Sequence, residues 1–171
     1  LKVIQNAKEW GVVIPAATPT IDMGQVHTRK DKVVTGLTKG IEFLFKKNKI
    51  DWIKGTARLT GSGGVDVFEG EQQTLRARRE IIVATGSSPR GVPGIEIDHT
   101  RIITSDEAIG LRDVPKSMVI MGSGAVGVEF ASIFNRFGSD VTIVELLPRL
   151  VPVEDEAVSA ELEKSFRKQG I

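Results

Sequence analysis

A glycine-rich loop is the feature of this 171-residue chain whose spacing points most directly to chemistry. The hexapeptide GSGAVG, residues 122–127, follows the apolar run Met118–Met121 and opens an apolar stretch that ends at Gly138. A G-x-G-x-x-G motif between a strand and a helix is typical of the turn that binds the pyrophosphate of a dinucleotide. The motif therefore predicts a dinucleotide-binding strand–turn–helix unit.

Each glycine of this motif has its own predicted task. Gly122 permits the tight turn, Gly124 lets a pyrophosphate approach the backbone, and Gly127 lets the helix lie close to the strand. The unsatisfied N–H groups and the positive dipole end of the helix N-terminus stabilise the phosphate charge.

An acidic residue ends the next predicted strand, Val141–Glu145, 23 positions after Gly122. A carboxylate near this position accepts hydrogen bonds from the adenine-side ribose hydroxyls and repels a 2′-phosphate, so Glu145 favours NAD over NADP. Arg149 either offsets that repulsion or is a solvated loop cation. Glu129 is either a further site residue or a solvated carboxylate on the helix surface.

Composition excludes several other kinds of site. The 23 Lys+Arg and 22 Asp+Glu give a net charge of 23 − 22 = +1, which argues against nucleic-acid binding. The chain has no Cys, which excludes disulfides, thiolate zinc sites and a cysteine nucleophile within it. His27 and His99 lie in polar sequence that predicts loops, so no metal site is expected. No apolar run approaches the roughly 20 residues that span a bilayer. We expect a cytoplasmic protein that binds neither membrane nor nucleic acid.

Periodicity predicts the elements around the loop. Helical spacing is weak over Val3–Trp10, is followed by a loop with Pro15 and Pro19, and is clear over Val33–Phe45. Residues 51–78 predict an antiparallel three-stranded meander with a turn at 61–64. The unbroken apolar run Ile81–Ala84 predicts a strand buried on both faces.

The second half of the chain predicts a β-α-β-α order. A helix starts at Thr104, and a boundary follows near Pro115. The predicted elements are strand Met118–Met121, helix Ala125–Phe137, strand Val141–Glu145 and helix Glu154–Lys168. The first residue is not Met and the last two are Gly170-Ile171, where a helix would pass into a strand, so we expect an internal fragment.

Three segments resemble the flavoprotein disulfide reductases. They read KDKVVTGLTKGIEFLFKKNKIDWIKGTARL at 30–59, IIVATGSSPRGVPG at 81–94 and VPKSMVIMGSGAVGVEFASIFNRFGSDVTIVELLPRLVP at 114–152. The resemblance covers the whole chain. It implies an α/β fold with parts of two Rossmann-like dinucleotide-binding domains, the first carrying the antiparallel β-meander as an insertion.

The resemblance also implies a division and two cofactors. Residues 1–112 would be the latter part of an FAD-binding domain, and residues 113–171 the beginning of an NAD-binding domain. The implied FAD contacts are Ala57, Thr85, Gly86 and Ser87. The implied NAD contacts are Gly122, Ser123, Gly124, Ala125, Val126, Gly127, Val128, Glu129 and Glu145.

Three of these positions differ from the family or match a specific role in it. Ala57 stands where the family has a glycine, so a backbone contact with FAD would survive but a glycine-only conformation would not. Glu129 matches a family glutamate near the nicotinamide, which pairs with a lysine close to the flavin. Ala125 departs from the bulkier residue often found at this position in the family, so the family's gating of the nicotinamide site is not carried over to this chain.

The implied activity belongs to the branch of the family that oxidises dihydrolipoamide on the lipoyl domains of 2-oxo acid dehydrogenase complexes, with NAD⁺ as acceptor. Such proteins are homodimers, and their redox cysteines and His–Glu acid/base pair match no residue here. We therefore expect no catalytic residue in this chain and no activity from it alone. The alternatives are a sister reductase acting on mercuric ion, glutathione or NADPH, or a non-catalytic nucleotide-binding module if the chain is complete.

Overall fold

The computed structural model describes residues 20–171. The helical pattern at Val3–Trp10 and the loop with Pro15 and Pro19 lie outside these residues. In chain order the elements are α1 (Met23–Lys47), β1 (Ala57–Gly61), β2 (Gly64–Val67), β3 (Gln73–Arg76), α2 (Ser105–Ala108), β4 (Ser117–Met121), α3 (Ala125–Phe137), β5 (Asp140–Val144) and α4 (Glu156–Gln169).

The chain forms two compact units. The first contains Gly91–Ile171 together with the described residues up to Thr28. The second contains Arg29–Arg90, and therefore most of α1 and the three short strands.

Helix α1 is longer than its apolar periodicity predicts. Its N-terminus follows Asp22, whose carboxylate accepts a hydrogen bond from Gln25 N at 3.0 Å. Its apolar stripe stays open to solvent, with Val33 52% and Leu37 67% exposed. The predicted start at Val33 is wrong because a capped polar first section precedes the apolar stripe.

The loop predicted around His27 is wrong. His27 lies in α1 and is only 3% exposed. Its Nε2 donates a hydrogen bond to the carbonyl oxygen of Leu111 at 2.7 Å, while Nδ1 is buried without a partner in residues 20–171. His99 does lie in a turn, with a φ of 57°. The buried hydrogen bond explains why a polar residue sits on the inner side of this helix.

The antiparallel meander is confirmed. Strand β2 pairs with β1 from Ala57 opposite Val67, and with β3 from Gly64 opposite Arg76. The β1–β2 turn contains Ser62 and Gly63, both with positive φ. Gly55 precedes the first strand, and a Cβ there would overlap the backbone of Glu69. That close approach requires glycine.

The strand predicted at Ile81–Ala84 is wrong for this structure. Those residues belong to neither described sheet, and Ile82 is 89% exposed and Val83 66% exposed. A buried parallel strand needs neighbouring strands for its backbone and covers for both faces. The described residues supply neither, so an apolar run alone does not produce the strand.

The first unit follows its predicted β-α-β-α order. Thr104 begins α2 with a capping box, in which the Glu107 carboxylate accepts from Thr104 N at 2.8 Å. Strands β4 and β5 pair in parallel, with Met118 opposite Val141. Helix α3 has the predicted bounds, and the other three elements differ from them by one or two residues. The α/β class is confirmed.

One apolar core holds this unit together. Val128, Ala131 and Phe134 of α3 pack with residues of β5 and α4. Phe134 is 3% exposed, and its ring lies 6.2 Å from that of Phe130. The other face of the strand pair is open, with Val119 64% exposed. The described helices therefore cover one face of the pair, although its sequence is apolar on both.

The described residues contain neither a membrane-spanning helix nor a metal-binding cluster. Within residues 20–171 no helix is long and apolar enough to cross a membrane. The same residues hold no group of three or more acidic or histidine side chains placed to bind a metal ion.

Phe134→Ala tests the core of the first unit. Truncating this buried ring should lower the free energy of unfolding by about 3–5 kcal/mol. Ile133→Ala changes the neighbouring residue, which is 43% exposed, and should cost less than about 1 kcal/mol. Urea unfolding of the chain compares the two. Equal losses would show that Phe134 does not lie in the core.

Candidate dinucleotide-binding site

The glycine-rich loop connects β4 to α3 through a left-handed residue. Gly122 has a φ of 97°, and its N–H donates to the carbonyl oxygen of Val144 at 2.8 Å, which extends the strand pairing by one residue. Gly124 then caps α3 in an extended conformation. The turn thus reverses the chain within three residues, as the conformational freedom of Gly122 allows.

Gly127 sets how closely α3 approaches the strands. A Cβ at this position would overlap the carbonyl oxygen of Gly122 and lie 3.5 Å from Ile120 Cγ2. Gly124 is different, since a Cβ there would meet nothing within 4 Å. Gly127 is therefore required by packing within the unit, whereas Gly124 keeps a surface of the loop free.

The N-terminus of α3 is open to an anion. Val128 N is the first amide of this helix to reach a backbone acceptor, the carbonyl oxygen of Gly124 at 3.1 Å. No side chain caps the helix, and its first turn contains no acidic residue. The preceding N–H groups and the positive end of the helix dipole therefore remain available to bound phosphate.

Glu145 is bonded to the glycine-rich loop. Its Oε2 accepts from Ser123 N at 2.8 Å and from Ser123 Oγ at 2.7 Å. Its Oε1 accepts from Leu147 N at 2.9 Å. These donors, Leu147 N foremost, lower the pKa of the Glu145 carboxyl to about 2. The residue is therefore an ionised carboxylate at neutral pH.

Ser123 has further partners that the motif did not predict. It is fully buried, and its carbonyl oxygen accepts from Val151 N at 3.0 Å. Val151 is buried in the core and has a φ of 40°, which β-branched residues rarely adopt. The segment after β5 is thus bonded back to the loop, and the G-x-G-x-x-G spacing carries no signal of it.

The remaining predicted NAD contacts divide by exposure. Ala125, Val126 and Glu129 are exposed on the first turns of α3, whereas Val128 points into the core and offers only its backbone. Arg149 donates through Nη1 to Glu156 at 2.5 Å and through Nη2 to the carbonyl oxygen of Pro152 at 3.2 Å. This ion pair gives Arg149 a structural partner away from Glu145.

The predicted FAD contacts lie in the second unit. Ala57 begins β1 with a negative φ, so its conformation does not require glycine. Thr85, Gly86 and Ser87 are exposed, and Gly86 has a φ of 83°. No hydrogen bond among the described residues joins Ala57 to that segment. The structure therefore brings the predicted NAD contacts together, whereas no hydrogen bond among the described residues links the predicted FAD contacts.

Comparison with known proteins identifies relatives along the whole chain. The model of the pyridine nucleotide-disulphide oxidoreductase family matches residues 2–171. Dihydrolipoyl dehydrogenase 3 of Pseudomonas putida is 47% identical over 90% of this chain and 33% of its own length. Dihydrolipoyl dehydrogenase of Chlorobaculum parvum is 46% identical over 98% of this chain and 35% of its own length.

Solved structures agree with these relatives. LpdA from Mycobacterium tuberculosis has a TM-score of 0.81 at 25% identity, over 99% of this chain and 37% of LpdA. The HOCl-induced flavoprotein disulfide reductase RclA from Escherichia coli has a TM-score of 0.68 at 30% identity, over 88% of this chain and 34% of RclA. The chain spans about a third of the length of the relatives it matches.

The resemblance to the flavoprotein disulfide reductases is thereby confirmed. One unit contains the glycine-rich loop, the parallel pair of strands and the acidic residue that follows β5. The family model covers all of these residues. This chain belongs to the pyridine nucleotide-disulphide oxidoreductase family.

Proposed function

We propose that this chain forms the NAD-binding turn and part of the FAD-binding domain of an NAD-dependent flavoprotein oxidoreductase. Residues 113–171 are the beginning of the NAD-binding domain, and residues 1–112 are the latter part of the FAD-binding domain. One observation carries the proposal: Ser123 bonds the Glu145 carboxylate to a loop that opens on an uncapped helix N-terminus.

The loop fits the two charged and polar parts of a dinucleotide. The pyrophosphate lies at the open N–H groups of α3, where Gly124 leaves space, and the adenine-side ribose bonds to Glu145. Glu129 lies on the nicotinamide side. The full set of NAD-binding residues comprises Gly122, Ser123, Gly124, Ala125, Val126, Gly127, Val128, Glu129 and Glu145. Of these, buried Ser123 acts through Glu145 and buried Val128 acts through its backbone.

FAD contacts this chain at Ala57, Thr85, Gly86 and Ser87. The exposed backbone around Gly86 supports this assignment, because a left-handed glycine leaves its peptide groups accessible. The described residues alone do not enclose a flavin. FAD held at these residues would supply electron transfer from a reduced disulfide, and NAD⁺ held at the glycine-rich loop would supply the hydride acceptor.

We propose dihydrolipoamide as the electron donor, presented by lipoyl domains of a 2-oxo acid dehydrogenase complex. Two dihydrolipoyl dehydrogenases, at 47% and 46% identity, support this choice over the reductase RclA at 30%. The chain contains no Cys, so the redox disulfide is not among these residues. The protein acts in the cytoplasm as a homodimer.

Steady-state assay of the complete protein carrying these residues tests the proposed activity. Dihydrolipoamide should reduce NAD⁺ to NADH, which absorbance follows directly. Reduction of glutathione disulfide by NADPH and reduction of mercuric ion by NADPH are the matched assays for a sister reductase. Turnover with either of these and none with dihydrolipoamide would overturn the proposed substrate.

Glu145→Gln tests the basis of cofactor choice. The substitution removes the charge and keeps the size, so the preference for NADH over NADPH should fall at least about tenfold. Dissociation constants of both cofactors measure this. Glu161→Gln, on the exposed surface of α4, is the control and should leave the ratio unchanged. If the ratio of the NADH and NADPH dissociation constants were unchanged in Glu145→Gln, this carboxylate would not determine the choice between the two cofactors.

Gly124→Ala and Gly127→Ala separate ligand approach from packing. At Gly127 the new Cβ overlaps Gly122, so stability should fall by about 1–3 kcal/mol. At Gly124 the Cβ meets open space, so stability should change by less than about 1 kcal/mol while NADH affinity is lost. Thermal unfolding and NADH titration distinguish the two. Full NADH affinity in Gly124→Ala would refute the pyrophosphate position.

A further inference from the structure

The Ser123 hydroxyl is placed to act on the cofactor only through another residue. Its side chain is fully buried, although it occupies the second position of the loop. Its Oγ donates to Glu145 Oε2 at 2.7 Å. A hydroxyl with no solvent-accessible surface does not meet a ligand that binds at the loop surface, so its effect passes through this carboxylate.

The hydrogen bonds around Glu145 define which oxygen remains for a ligand. A carboxylate has about four acceptor sites. Ser123 occupies two of them at Oε2, and Leu147 N occupies one at Oε1. Oε2 therefore carries two short hydrogen bonds and Oε1 one, so Oε1 is the oxygen with more room for a ligand.

The hydroxyl also restricts rotation of the carboxylate. The terminal torsion of a glutamate is broad and close to two-fold, so a single donor on each oxygen leaves its plane loosely defined. Two donors on Oε2, one from the backbone and one from the side chain of Ser123, fix that plane against the loop. Loss of Oγ would keep the charge but leave the carboxylate held only by Ser123 N and Leu147 N, so its plane would be less tightly fixed.

We propose that Ser123 is a positioning residue that determines specificity for NAD over NADP by orienting Glu145. The inference rests on the proposed function, in which Glu145 bonds the ribose. The hydroxyl holds Oε2, so that Oε1 accepts from the ribose and the fixed charge opposes a 2′-phosphate. Specificity then depends on two residues 22 positions apart, of which only Glu145 reaches the cofactor.

A double-mutant cycle in the complete protein tests this role. The four proteins are the unmodified protein, Ser123→Ala, Glu145→Gln and the double variant. Dissociation constants for NADH and NADPH are measured near pH 8, where a phosphate monoester is fully ionised because its second pKa is about 6. Ser123→Ala should lower the preference for NADH about five- to tenfold, the effect of losing one charge-assisted hydrogen bond. In the Glu145→Gln background the same substitution should leave the ratio unchanged.

Ser139→Ala is the matched control. Ser139 is also buried in the first unit, and its Oγ donates to the carbonyl oxygen of Pro115 at 2.6 Å. Its loss should lower the melting temperature without altering the cofactor ratio. Ser123→Cys provides a second variant of nearly native size with a weak donor, and should shift the ratio in the same direction as Ser123→Ala.

The outcomes separate the inference from the proposed function. If Ser123→Ala and Ser123→Cys lower only the melting temperature, as Ser139→Ala does, the positioning role is overturned while NAD binding stands. If Ser123→Ala shifts the ratio equally in both backgrounds, Ser123 does not act through Glu145. If the unmodified protein does not favour NADH, the proposed function itself fails.

Discussion

The hydrogen bonds between Ser123 and the Glu145 carboxylate are the constraint on which the first unit depends. They join the turn after β4 to the end of β5, at the edge where both parallel strands finish. Val151 N completes the connection by donating to the carbonyl oxygen of Ser123. The buried Ser123 is therefore hydrogen-bonded both to the end of β5 and to the segment that follows it. Close packing of α3 at Gly127 places the helix N-terminus beside this serine.

The glycine-rich turn lies between a positive helix N-terminus and a negative carboxylate. The uncapped N-terminus of α3 is positive and attracts an anion. The Glu145 carboxylate is negative, and its bound donors keep its pKa near 2. The bonded carboxylate therefore contributes its full stability above the ordinary glutamate value of 4.5, and that contribution is lost as pH falls from there toward about 2. The pyrophosphate of a dinucleotide is attracted to the positive helix N-terminus, and an unmodified ribose can donate hydrogen bonds to the carboxylate. A 2′-phosphate on that ribose would be repelled by the carboxylate.

The sequence predicted features that depend on neighbouring residues, such as helix ends. It did not predict features that depend on contacts between residues far apart in the chain. The bounds of α3 followed from glycines at both ends, and the task of Gly127 followed from the motif spacing. Ile81–Ala84 failed because an apolar run does not reveal whether neighbouring strands are present. The role of His27 depends on a carbonyl group 84 positions away, and the bonding of Ser123 depends on a partner 22 positions away. No periodicity encodes such pairs.

The pKa of the Glu145 carboxyl tests this account most directly. Carbon-13 labelling of glutamate, with assignment by comparison to Glu145→Gln, allows its resonance to be followed by NMR as pH is lowered. The account predicts no titration between about pH 7 and pH 4, because donors from Ser123 and Leu147 hold the pKa near 2. A midpoint at the ordinary value of 4.5 would contradict it, since the carboxylate would then not be bound to the loop.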